Sequence, residues 1–167
     1  MKTKRLLTWI LVAVLAVSAV AFAACVDKPS AQELTELVLP TLDVNQMAVI
    51  IKNGDKDYTS ITVTLGRNGV EAKTVEDVLA YLKEQGTISL DWHDGPYGKS
   101  IDKLNKIQPA SQSEWVHVFT SNAAEQDVSA WATTYTVGEV KLTTSIVGVS
   151  ELSVFNGCII YFELGSM

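Results

Sequence analysis

From residue 6 to residue 24 every side chain is apolar or small, with Thr8 and Ser18 the mild exceptions. Beyond that run the chain breaks into short segments, most of them alternating with a period of two. Residues 47–52 are apolar and rich in β-branched side chains, and Asn53-Gly54-Asp55 follows as a turn signal. Residues 61–65 alternate strictly, which predicts a strand with one buried face. Arg67-Asn68-Gly69 is a turn, and 70–73 can return as a second strand. Thr74 then suits the N-cap of a helix, with Glu76 and Asp77 complementing its dipole and Gly86 at C′. Val75, Val78, Leu79 and Leu82 form one apolar stripe on it.

After the helix the period returns to two. Strands are predicted at 88–92, through Ile101, Leu104 and Ile107 less regularly, and clearly at 115–119. A loop at Asp94-Gly95-Pro96 and Gly98 separates the first two, and 121–129 is polar and reads as another. Further strands are predicted at 131–135, 140–144 and 152–155. Asn156-Gly157 is a hairpin-type turn, and 158–164 is apolar on both faces, as a central strand should be. One helix among many strands predicts an α+β fold, a mixed sheet with the helix packed on one face. A β-grasp topology is the simplest that fits, and it would occupy 46–167. Residues 25–45 are predicted to be a tether. Ser30 and Glu33 have capping-box spacing ahead of Leu34, Leu37 and Val38, enough for a turn or two of helix before Pro40 ends it.

The apolar start is preceded by Lys2, Lys4 and Arg5 and ends in Ala21-Phe22-Ala23-Ala24-Cys25. A basic segment, an apolar segment and small residues before a cut describe a secretory signal, here 1–24. Small residues immediately before a cysteine resemble the bacterial lipobox, which implies lipidation of Cys25 and a lipid membrane as a partner. The expected location is therefore the extracytoplasmic face of a cell membrane. Two or more acyl chains hold such an anchor firmly, because each buried methylene contributes about 0.8 kcal/mol.

Removing 1–24 takes away three of the 13 cations and none of the 19 anions, leaving a formal charge of −9. Phosphate binding needs clustered cations, so nucleic acid is not an expected partner. With Cys25 lipidated, Cys158 has no cysteine to pair with, and it reads as a small buried hydrophobe. No G-x-S-x-G elbow and no glycine-rich phosphate loop occurs in the chain. His93 and His117 are the two histidines, and their spacing demands no metal site. The chain is read as neither an enzyme nor the holder of a cofactor.

Several stretches together resemble a known family. The strand at 61–65 precedes the helix at 75–82, and Tyr97-Gly98-Lys99-Ser100-Ile101 opens an extended stretch through Ile107. Trp115-Val116-His117-Val118-Phe119 is a tryptophan-led strand, and Asn156-Gly157-Cys158-Ile159-Ile160-Tyr161-Phe162 lies in a closing hairpin. In order and spacing, 61–164 resembles the transcobalamin-like C-terminal domain found in many bacterial envelope proteins. The resemblance implies a β-grasp-like domain of a type that binds soluble ligands. In the animal cobalamin carriers the related domain covers one side of a corrinoid held mainly by another domain, to which the resemblance does not extend.

The aromatic residues supply the candidate binding positions. Trp92 precedes the 93–99 loop, and Tyr97 lies within it. Trp115, His117 and Phe119 share one face of their strand, while Val116 and Val118 share the face suited to the helix. Exposed aromatics commonly anchor ligands or partners. The expected function is a non-catalytic module for an unknown small molecule, glycan or envelope protein. The alternatives are a structural or adhesion module, a corrinoid-related accessory protein and a cell-wall enzyme.

Overall fold

A computed structural model describes residues 31–96 and 98–166. The expected signal, Cys25 and Tyr97 lie outside the described residues. Among those residues the elements run β1 (Gln32–Glu33), β2 (Gln46–Lys52), β3 (Tyr58–Thr64), α1 (Val75–Glu84), β4 (Leu90–Gly95) and β5 (Gly98–Leu104). They continue with β6 (Glu114–Thr120), a 3-10 turn (Ala123–Glu125), β7 (Thr134–Val137), β8 (Val140–Thr144) and β9 (Ile159–Ser166). Among the described residues the fold is a mixed α+β arrangement: one large sheet, one helix and a separate hairpin.

The large sheet has the order β1-β7-β8-β6-β9-β2-β3, and β4 pairs with β5 apart from it. β9 runs parallel to β2 and antiparallel to β6, which makes it a central strand as its two-sided apolar pattern predicts. Alternation then divides the core in two. Met47, Val49, Ile51, Ile160 and Phe162 face α1, whose Val75, Val78, Leu79 and Leu82 cover them. Val116 and Val118 pack on that side, as their positions predict. Ala48, Ile50, Phe119, Ile159 and Tyr161 face the other way, under Leu37.

The helix is fixed at both ends by its own sequence. The Thr74 hydroxyl accepts from the Asp77 amide at 3.4 Å, and the Asp77 carboxylate accepts from the Thr74 and Lys73 amides at 3.0 and 2.9 Å. Those backbone donors hold the Asp77 carboxyl below the usual carboxylate range. The Val75 and Glu76 amides donate to the Leu152 and Val149 carbonyls, so a neighbouring loop satisfies the next donors of the first turn. Gly86 takes φ +68°, the left-handed position a helix stop requires.

The sheet bends round its second face. The Tyr135 hydroxyl on β7 reaches Glu163 on β9, although β8 and β6 lie between those strands in the sheet. Glu36, just after β1, pairs with Lys56 beyond the far end of β2.

Several segments differ from expectation, and the strand expected at 131–135 starts only at Thr134, leaving Trp131 in the preceding loop. Residues 70–73 make only an isolated bridge, Leu65 to Val70, because Gly69 folds tightly against the Thr64 carbonyl. Residues 152–155 back the helix start instead of forming a strand. Asp94, Gly95 and Gly98, expected in a loop, belong to the β4–β5 hairpin, whose outer face is polar because only its inner face is covered. Within the expected 25–45 tether, Gln32–Glu33 pair with β7 and Leu37 is buried, and the described residues 31–45 form no helix.

Candidate functional site

β6 carries an aromatic ladder on the second face. Trp115 and His117 stand edge to face with centroids 5.8 Å apart, and His117 and Phe119 lie 4.6 Å apart. Phe119 then meets Tyr135 at 5.1 Å and Tyr161 at 5.5 Å. Period-two alternation aligns the first three, and the bend in the sheet brings Tyr135 across to them. Exposure falls steadily along the row: Trp115 is 38 % exposed, His117 is half-buried, and Phe119 and Tyr161 are fully buried.

Gly165 makes room for the first rung. A Cβ built there would lie 3.0 Å from the indole and 3.3 Å from the Cβ of His117. The glycine opposite Trp115 therefore lets the ring lie down on the strand.

Glu163 stands beside the ladder, paired with His117 across the sheet and itself buried. Its carboxylate accepts from the Tyr135 hydroxyl at 2.8 Å and from the Tyr161 hydroxyl at 3.0 Å. The Lys52 ammonium lies 3.6 Å away. Burial first, and the hydrogen bond and charge of Glu163 after it, push both phenols far up, so each stays a hydrogen-bond donor at any physiological pH. Beside this group, β2 ends while β9 continues, and a cleft of about 290 Å³ opens there. Lys52, Asn53, Asp55, Lys106, Glu163 and Leu164 line it. The Oδ1 of Asn53 is buried with no partner among the described residues, and Lys106 is held by Asp57 at 2.7 Å.

The expected binding residues fall into two groups. Trp115, His117 and Phe119 come together, but Phe119 is enclosed and serves as the floor. Trp92 lies on the helix side of the sheet, packed on the first core. The Lys83 and Lys99 ammonium groups each sit 5.9 Å from its ring centroid. His93, next to it, is exposed and bonded to Asp102 at 2.9 Å. Glu163, Tyr135, Tyr161 and Lys52 were not expected. Their one signal is Glu163 itself, a lone charge inside an apolar run on a central strand, which must find donors if buried.

Burial holds the His117 imidazole below its usual pKa of 6.5, and Glu163 opposes that shift more weakly. The unfolded chain then binds more protons than the folded one in the window below 6.5, so stability must rise with pH across it. The contribution is complete above about 6.5 and is lost as pH falls through the folded value. Urea midpoints of wild type and His117→Gln, measured from pH 7.5 to 5, should diverge in that direction. Parallel curves would mean that the imidazole titrates freely.

Among the described residues no three His, Cys, Asp or Glu side chains converge as a metal-binding group. No helix there is long and apolar enough to cross a membrane. Cys158 is buried, and burial pushes its thiol up to about 11.

No family model matches this chain, and no curated protein matches it in sequence. Among solved structures, a crystal structure from Ruminococcus gnavus described as a "putative metal binding protein" is similar, with a TM-score of 0.48 and 14 % identity. The match covers 74 % of this chain and 98 % of that one.

Proposed function

We propose that this chain is an extracytoplasmic lipoprotein, held to a membrane by lipid on Cys25, whose domain is a non-catalytic binding module. The observation that carries the binding role is the graded ladder: an exposed indole backed by a half-buried imidazole and a buried carboxylate, beside an open cleft. A small polar molecule with one apolar face suits it. The apolar face would lie on Trp115, and its polar groups would meet His117 and the Lys52–Glu163 pair.

The anchoring half of the reading rests on residues 21–25 and is tested separately. Palmitate label should enter the wild type and not Cys25→Ser. The strand order β3-β2-β9-β6, with the first and last long strands parallel at the centre, supports a β-grasp reading and with it the transcobalamin-like resemblance.

For the ligand, the test is a screen of envelope glycans and small metabolites on Cys25→Ser protein, followed by Trp115→Ala. Truncating a central aromatic anchor removes more than about 1.4 kcal/mol, so affinity should fall about tenfold or more. A detected ligand whose affinity ignores Trp115→Ala and Lys52→Ala sinks the aromatic-face site.

One observation favours a second reading, an adhesion or assembly role. β6 meets β8 only at Phe119 and Thr120, and β9 leaves β2 after Phe162. Among the described residues, 114–117 and 163–166 therefore form a two-stranded ribbon with neither edge paired to a further strand. Such edges accept a strand from another chain. Specific capture of an envelope protein that Leu164→Lys abolishes, with no small-molecule binding, would favour this reading over the first.

A further inference from the structure

We propose that the loop before β7, tipped by Val128 and Trp131, rests in the headgroup layer of the same bilayer that holds Cys25. This deepens the lipoprotein reading and rests on it. Trp131 is 91 % exposed and Val128 83 %, and Ile146 beside the loop is 60 % exposed. An indole so bare in a folded domain has no structural task there, and bilayer interfaces favour tryptophan for its apolar ring and polar N–H.

The loop is presented rigidly. The Asp127 amide donates to the Thr144 carbonyl at 2.8 Å, and the Thr144 amide donates to the Thr133 carbonyl at 3.1 Å, so one residue of β8 clamps both ends. The Ser129 amide donates to the Asp127 carboxylate at 2.8 Å, and the Ala132 amide donates to the Ser129 carbonyl at 3.3 Å. Glu125, at the base, is tied inward to Ser153 and Asn122. Both acids of 121–133 are thus engaged within the protein, and the segment has no cation. Nothing in it calls for anionic lipid, and a zwitterionic surface suffices.

β1 runs parallel to β7 with Gln32 opposite Tyr135, so the chain entering β1 arrives beside the foot of this loop. Gln32 lies seven Cα-to-Cα steps beyond Cys25, and seven extended steps span at most about 25 Å. A lipid on Cys25 therefore keeps this end of the domain within that distance of the bilayer. The loop end of β7 and the point of tether entry are the same end.

The test uses the full-length, processed protein in phosphatidylcholine vesicles with brominated acyl chains, which quench tryptophan only at membrane depth. Wild-type emission should be quenched, Trp92→Phe should be quenched as much, and Trp131→Ala should lose most of the quenching. The Trp131 side chain is almost free of contacts, so its removal leaves the fold intact. Absent quenching, or quenching unchanged by Trp131→Ala, overturns the proposal while leaving the anchor standing. Palmitate labelling of the same sample reads the anchor itself: an unlabelled Cys25 overturns both.

Discussion

Phe119→Ala should lower the unfolding free energy by about 4 kcal/mol, within the roughly 3–5 kcal/mol typical of emptying a buried phenylalanine site. The side chain is fully buried in the second core. Three rings close on it, from His117, Tyr135 and Tyr161, at 4.6, 5.1 and 5.5 Å. Each such pair adds about 0.5–1.5 kcal/mol beyond area. Relaxation is restricted, because Tyr135 and Tyr161 are both bonded to Glu163 and cannot swing into the void without breaking those bonds. Since single domains are stable by only about 5–15 kcal/mol, the variant should show a clearly lowered urea midpoint with little change in slope. Phe119→Leu fills most of the space and should lose about half as much. A loss under about 1 kcal/mol for the alanine variant would mean that the ladder does not organise this core.

The same ring row shows what periodicity can and cannot reveal. Alternation alone aligns Trp115, His117 and Phe119 on one face and predicts that Val116 and Val118 meet the helix. It is silent on what lies over the aromatic face, because that depends on partners far away in the chain. Tyr135 arrives only through the β7-β8-β6 pairing and the bend of the sheet. Phe119 therefore reads as an exposed residue when it is fully buried among His117, Tyr135 and Tyr161.

Long-range pairing also explains why the described residues 31–38 form no helix. Leu34, Leu37 and Val38 have helical spacing, but Val38 is 82 % exposed, and Gln32–Glu33 are drawn into the sheet by β7. A two-residue strand has no period to detect. By contrast, α1 is legible to its caps, since Thr74, Asp77 and Gly86 act within one turn of each end. β9 is legible as central because burial on both faces demands an unbroken apolar run. Glu163, the exception in that run, is the residue on which the second face converges.

Glu163→Ala should lower stability by roughly 3 kcal/mol, the low end of the range for removing one partner of a buried ion pair. The low end applies because Lys52 is 28 % exposed at its side chain and can turn its ammonium to water. Tyr161 has no such escape. Its hydroxyl lies in a fully buried residue and would be left without an acceptor, a loss of about 1–3 kcal/mol by itself. Glu163→Gln keeps an oxygen for one phenol and should lose only about half as much. The decisive variant is the compensated one. Adding Tyr161→Phe and Tyr135→Phe to Glu163→Leu removes donors and acceptor together, so most of the lost stability should return. Binding should not return with it, because the cleft would have lost the carboxylate that faces His117 and Lys52. Recovery of both stability and ligand affinity would reduce Glu163 to a packing residue, whereas recovery of stability alone separates its structural role from its part in recognition.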